Sequence, residues 1–236
     1  KYNIVISDST FVQLSSNVIY ALLYKNRKLQ IILMNKFLTS KLLYNINENN
    51  TYNHLDEFGS IMLQCVTINH NSNNKQSFGN ALKYWNAIRI ISLLFEDNKD
   101  TQILSLKSKL SINMTLYDLI LNDLIAIQNA SNVDSRIELS ILLLLISWCF
   151  ECRESIHTIF NNPASIQYFE LILNMASKGD NPYTSGLATY LIALFLEYGR
   201  NINYKNKYLS DIIQNDITIT KFTNNLTSLR NTAEDV

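Results

Sequence analysis

The sequence predicts an all-α fold of stacked helical repeats, and three observations carry that prediction. The 236 residues include only five Gly and two Pro, too few for the turns of sandwiches and barrels or the phosphate loops of dinucleotide-binding folds. Ile and Leu together number 63, which suits long buried helices. Apolar residues recur at three- and four-residue spacing along most of the chain, and no segment keeps the alternation of a strand.

Asp8 or Ser9 is placed to cap a first helix, whose apolar positions Phe11, Leu14, Val18, Ala21 and Leu22 should face a core. It should end near Lys25-Asn26, with a second helix from about Arg27 to Thr39. The polar stretch 41–54, with four Asn between Asn45 and Asn50, reads as a long loop, and a shorter helix covers Phe58 to Ile68. A second Asn-rich loop occupies about 70–77. From Phe78 to Phe95 the period is carried by Leu82, Trp85, Ile88, Ile91 or Ser92, and Phe95. A charged helix follows from about Lys99 to Leu110, with Leu104 and Leu106 expected inward.

Thr115 is placed to cap Leu116 to Asn129, where Leu116, Leu119, Ile120, Leu124 and Ile127 make one stripe. Ser135 to Cys152 is apolar almost all round and should lie between layers. Short helices at Arg153–Phe160 and Ala164–Ala176 flank Pro163, which suits a first-turn position. Gly179-Asp180-Asn181-Pro182 is the clearest turn. The helix Thr184 to Tyr198 should be buried on most faces and end at Gly199. Weaker amphipathic segments at about Lys205–Asn215 and Ile217–Leu229 follow.

A striped helix followed by an all-apolar one occurs at Leu116–Cys152 and again at Ala164–Tyr198, with Phe78–Phe95 an earlier copy of the buried member. A buried helix needs neighbours on both sides, and stacked repeats supply them. The spacing is close to that of armadillo and HEAT arrays. Residues 1–236 are therefore expected to form one armadillo-like domain.

Twenty basic and twenty acidic side chains give zero net charge. That argues against a nucleic-acid footprint, which needs clustered Lys and Arg. The densest basic stretch, Lys25-Asn26-Arg27-Lys28, reads as a solvated helix–helix turn. The longest apolar run, Ile141 to Phe150, is far shorter than a membrane span of about 20 residues. Three cysteines form no even framework, which points to a reducing, cytosolic setting. Lys1 is not a natural start, so an upstream segment is expected. The sequons at Asn49, Asn113, Asn129 and Asn225 are expected to be unused in a chain with 31 Asn.

No catalytic or cofactor-binding constellation emerges. Cys149 and Cys152 form a Cys-x-x-Cys with His157 nearby, but Zn²⁺ takes four ligands and nothing in the sequence completes the set. The pair lies at the end of an apolar helix rather than at a helix start, so buried structural cysteine is expected. His54 and His70 sit in polar loops, and Glu96, Asp97 and Asp100 read as a charged loop. No nucleophile elbow, zinc-protease helix or glycine-rich phosphate loop is present. No catalytic, cofactor or metal residue is assigned, and the protein-binding residues stay unknown.

The segment Leu142-Leu143-Leu144-Leu145-Ile146-Ser147-Trp148-Cys149-Phe150-Glu151-Cys152, followed by Ile156-His157-Thr158-Ile159-Phe160-Asn161-Asn162, resembles late armadillo repeats in the head of the general vesicular transport factor family. These are the long coiled-coil tethers of ER-to-Golgi traffic. Leu23-Tyr24-Lys25-Asn26, Trp85-Asn86-Ala87 and Gly186-Leu187-Ala188 through Ala193-Leu194-Phe195 match in the same order, so the resemblance covers about Val18 to Tyr198. The Asn-rich loops and the region after Gly199 depart from the family pattern.

The resemblance implies the C-terminal half of a larger head domain, acting as a non-enzymatic vesicle-tethering scaffold. It implies a Rab-type small GTPase as partner, SNARE and Golgi tethering proteins engaged mainly through regions outside these residues, and homodimerisation of the full-length protein. A cytoplasmic protein, peripheral on Golgi and ER–Golgi membranes, with a coiled coil after the head, is expected. Two other readings are weighed. A nuclear-import adaptor would place Asn four residues after its groove Trp, but Arg89 follows Trp85 and Cys152 follows Trp148 at that spacing. An enzyme or regulatory subunit would need bound metal or a low-pKa thiol at Cys149 and Cys152.

Overall fold

Helix follows helix through the computed structural model, which describes residues 8–39, 62, 65–66, 81–111, 114–129, 134–178, 181–199, 211 and 217–234. The chain divides into two compact units, residues 1–116 and 117–236. Among the described residues the first unit holds α1 (Asp8–Leu23), α2 (Arg27–Thr39), α3 (Ala81–Phe95) and α4 (Lys99–Lys107). A short antiparallel pair follows, β1 (Lys109–Ser111) and β2 (Met114–Thr115). α5 (Leu116–Asn129) starts at the boundary, and α6 (Ser135–Cys149), α7 (Arg153–Asn161), α8 (Ser165–Lys178), α9 (Pro182–Tyr198) and α10 (Ile219–Glu234) complete the second unit. The fold is all-α and helical-repeat, as expected. The loops expected at 41–54 and 70–77 and the segment Lys205–Asn215 lie outside the described residues, apart from Asp211.

In the first unit α3 packs against α1, α2 and α4. Tyr84, Ala87, Ile88, Ile91, Leu94 and Phe95 of α3 are buried. Three expectations need correction here. The stripe read on α1 is not its buried face: Leu14, Val18 and Leu22 are 53%, 61% and 58% exposed and Ala21 is exposed, whereas Leu23 is fully buried. Nearly every face of α1 is apolar, so periodicity alone did not say which face would find a neighbour. On α4, Leu104 and Leu106 are only half-buried while the polar Thr101, Gln102 and Ser105 are buried. The α3 carbonyl end beneath α4 demands donors, and the Thr101 hydroxyl meets Leu94 O. Finally, α4 stops at Lys107, because Ser108 is extended (φ −87°, ψ 130°) and leads into the strand pair.

In the second unit α9 is the central helix, packed against α6, α7, α8 and α10. Its small and apolar residues Gly186, Ala188, Leu191, Ile192 and Phe195 are buried together with Thr184 and Thr189. Asn181 caps its start, accepting from Tyr183 N at 2.9 Å, and Pro182 takes the first turn. Gly199 ends it through Gly199 N to Phe195 O at 2.8 Å. A Cβ there would lie 2.4 Å from Phe195 O, so close approach demands the glycine at a negative φ of −86°. Pro163 precedes α8 rather than opening it: Asn162 turns the chain, its Oδ1 accepting from Ala164 N at 2.9 Å. The rings of Phe160, Phe169 and Phe195 meet pairwise at 4.9–5.8 Å between centroids and anchor α7, α8 and α9. α5 buries its expected stripe of Leu116, Leu119, Ile120, Leu124 and Ile127.

Candidate interaction surface

Three helix–helix corners share one construction. Lys25, Asp97 and Glu151 each take a positive φ (55°, 49° and 54°) just before the residue that opens the next helix. In each, that opening residue donates back across the turn: Asn26 N to Leu23 O, Asn98 N to Phe95 O and Cys152 N to Cys149 O, at 3.0–3.2 Å. Asn26 Oδ1 accepts from Leu29 N, and Asn98 Oδ1 from Thr101 N. Cys152 fills the same place without a side-chain cap bond.

The Cys-x-x-Cys is thus a turn, with Cys149 at the end of α6 and Cys152 at the start of α7. The second thiol therefore stands at a helix N-terminus and not, as the apolar run suggests, within the preceding helix. Both are buried and free. Burial, with Cys152 adding to it, pushes the Cys149 thiol far above its ordinary range, opposite to an activated thiol. The Ser155 hydroxyl donates to Cys152 Sγ at 3.1 Å. His157 lies on the exposed side of α7. Among the described residues no group of three His, Cys, Asp or Glu is gathered to hold a metal ion. His54 and His70 lie outside the described residues.

Glu96 and Asp97 are exposed at the α3–α4 corner, and Asp100 sits in the first turn of α4. Partial burial and the neighbouring Asp97 raise the Glu96 carboxyl, with Lys25 opposing. The basic stretch from Lys25 to Lys28 is an exposed corner, as expected, with Lys25 Nζ 5.1 Å above the Tyr24 ring. Beside it runs the exposed side of α1: Leu14, Val18, Tyr20, Ala21, Leu22 and then Tyr24. Tyr20 and Tyr24 stack there at 5.9 Å. Among the described residues of the first unit, Ile32 on α2 is the one other exposed large apolar side chain.

Two polar assemblies escaped the sequence reading. In one, Gln30 binds carbonyls at the ends of α1 and α3, and Asn98 binds Gln30 and the Arg27 carbonyl at the start of α2. In the other, α10 is bonded to α8 and α9 through Lys221 and Asn225. Asn225 carries one of the four sequons, and its amide is committed to these bonds. The legible signal for the first was the Asn that follows the charged residue in Lys25-Asn26 and Asp97-Asn98. No signal marked the second.

The described helices bury the Cys149 and Cys152 thiols and the Gln30, Asn86 and Asn98 carboxamides and leave an apolar face of α1 open. None of them is long and apolar enough to cross a membrane. No curated protein matches the chain. The family described as "Uso1 / p115 like vesicle tethering protein, head region" matches residues 14–234. That match covers nine of the ten helices described here in full and α1 from residue 14 on, and it includes the stretch after Gly199, which departs from the expected pattern. The chain belongs to the Uso1/p115-like vesicle tethering family and carries its head region.

Proposed function

We propose that this chain is a non-enzymatic tethering scaffold of ER-to-Golgi and intra-Golgi transport that binds a Rab-type GTPase through its helical-repeat surface. The observation that carries this reading is the family match over residues 14–234. The buried, proton-retaining Cys149 supports a structural role for the one motif with catalytic potential.

The same reading makes the chain part of a larger armadillo-like head. Helical repeats bury their apolar faces only against neighbouring repeats, and the open face of α1 is the seat for another helix pair of that head. SNARE and Golgi tethering proteins engage the protein mainly outside these residues, the full-length protein pairs with a second copy, and it sits peripherally on Golgi and ER–Golgi membranes from the cytoplasm.

The test is a pull-down with a panel of Rab GTPases loaded with GTP or GDP analogues. Retention of at least one Rab in its GTP state is expected. A panel in which no GTP-state Rab is retained would overturn the recruitment claim.

A further inference from the structure

α10 is held to α8 and α9 by side-chain hydrogen bonds while it only half-buries its apolar residues. On its inner side Lys221, Asn225 and Leu229 follow one another at four-residue steps. Lys221 Nζ donates to Ser177 O. Asn225 Nδ2 donates to Ala176 O and to Thr189 Oγ1, both at 2.9 Å. Ala176 and Ser177 lie in the last turn of α8, whose carbonyls have no partner within their own helix. Leu229 rests on Gly186 of α9, where an added Cβ would stand 2.7 Å from Leu229 Cβ.

None of the described side chains of α10 is fully buried; Phe222, Asn225, Leu226, Leu229 and Thr232 are half-buried and the rest exposed. Four Thr and three Asn among its 16 residues make it a poor helix by composition. Its helical state therefore depends on the surface it lies on, and apart from Ile217, buried just before it, its release uncovers only half-buried apolar side chains.

We propose that the α8–α9 face under α10 is a helix-docking groove, that α10 is its exchangeable occupant, and that it fits a partner helix presenting a cation, a side-chain amide and Leu at successive four-residue steps. Each position has a reader. The cation meets the carbonyl end of α8, the negative end of that helix dipole. Leu fits the notch at Gly186. The amide is required because Thr189 spends its own proton on Ser185 O at 2.7 Å. Its oxygen, like Ala176 O, can then only accept, so a carboxylate in place of Asn225 would face two acceptors.

The test is hydrogen exchange on the full chain with a synthetic peptide of residues 217–234 as probe, alongside the same peptide carrying Asn225→Asp. In the chain alone, α10 amides should exchange at least about tenfold faster than the core amides of α9. The unaltered peptide should bind and accelerate exchange of the chain's own α10, and the Asn225→Asp peptide should bind at least about tenfold more weakly. The proposal is overturned if α10 and α9 exchange at one common rate, if the unaltered peptide does not bind, or if both peptides bind alike.

Discussion

Asn98 donates its side-chain amide to the carboxamide oxygen of Gln30 at 2.9 Å, joining the start of α4 to the first turn of α2 in a buried position. Gln30 Nε2 in turn donates towards Leu93 O at 3.0 Å and towards Leu23 O and Glu96 O at 3.3 Å. One side chain thus serves the carbonyl ends of α1 and α3, which would otherwise be buried without donors.

Replacing Gln30 with Leu keeps the volume but orphans these carbonyls and the Asn98 amide. Gln30→Leu should lower stability by about 2–3 kcal/mol in urea unfolding. Asn98→Ala made on top of it should cost less than it does alone, because the shared bond is already gone.

Glu151 holds the left-handed position of the turn from Cys149 to Cys152, at φ 54°. Phe150 before it has φ −62° and ψ 121°, the geometry of a type II turn, which favours Gly at the next position. Glu151→Gly should therefore raise the thermal midpoint, by the equivalent of about 0.5–1 kcal/mol. Glu151→Val should lower it by about 1 kcal/mol or more. Asp97→Gly at the equivalent corner should gain less, since Asp tolerates this conformation better than Glu.

The Tyr117 ring meets Trp148 edge-on at 5.8 Å, but its hydroxyl is buried with no hydrogen-bond partner. Tyr117→Phe keeps the ring contact and removes the desolvated hydroxyl. Stability should be unchanged or rise by up to about 1 kcal/mol, measured by chemical denaturation.

Burial raises both the Cys149 thiol and the Tyr117 phenol above their ordinary values. The unfolded chain releases these protons at lower pH than the folded chain, so it binds fewer of them above about pH 9. Stability contributed by the two groups is complete below that pH and is lost as pH rises beyond it. The urea midpoint should fall between about pH 9 and pH 11, and Tyr117→Phe should flatten the upper part of that slope. In native protein a thiol reagent should leave Cys149 and Cys152 unmodified, and denaturant should expose both.

Phe195 touches Phe160 and Phe169 at once. Phe195→Ala opens a cavity where α7, α8 and α9 meet and should cost about 3–5 kcal/mol. Circular dichroism with urea titration measures that loss, and Phe195→Leu should recover most of it.

The helices themselves were legible. The ranges expected for α2, α5 and α8 agree with the structure to within two residues, and Gly199 ends α9 as expected. Hydrophobic period, Asn caps and scarce Gly act locally, so they can be read from neighbouring residues. The family was legible too, through ordered matches from Leu23 to Phe195. The strand pair after α4 was not, because three residues against two carry too little pattern.

Taken alone, the amino-acid sequence determined the all-α class, the stacking of striped and apolar helices, the membership in a tethering family and the lack of a recognisable catalytic motif. Tertiary structure decided which face of α1 stays open, why Thr101, Gln102 and Ser105 are buried while Leu104 is not, and how a polar α10 becomes part of the second unit. The physical reason is common to all three. Periodicity says that a helix has faces, but a face is buried only where a neighbour supplies apolar surface or unpaired carbonyls. The acceptors of Gln30, Asn98 and Asn225 lie 7 to 71 residues away along the chain and meet them only in the fold.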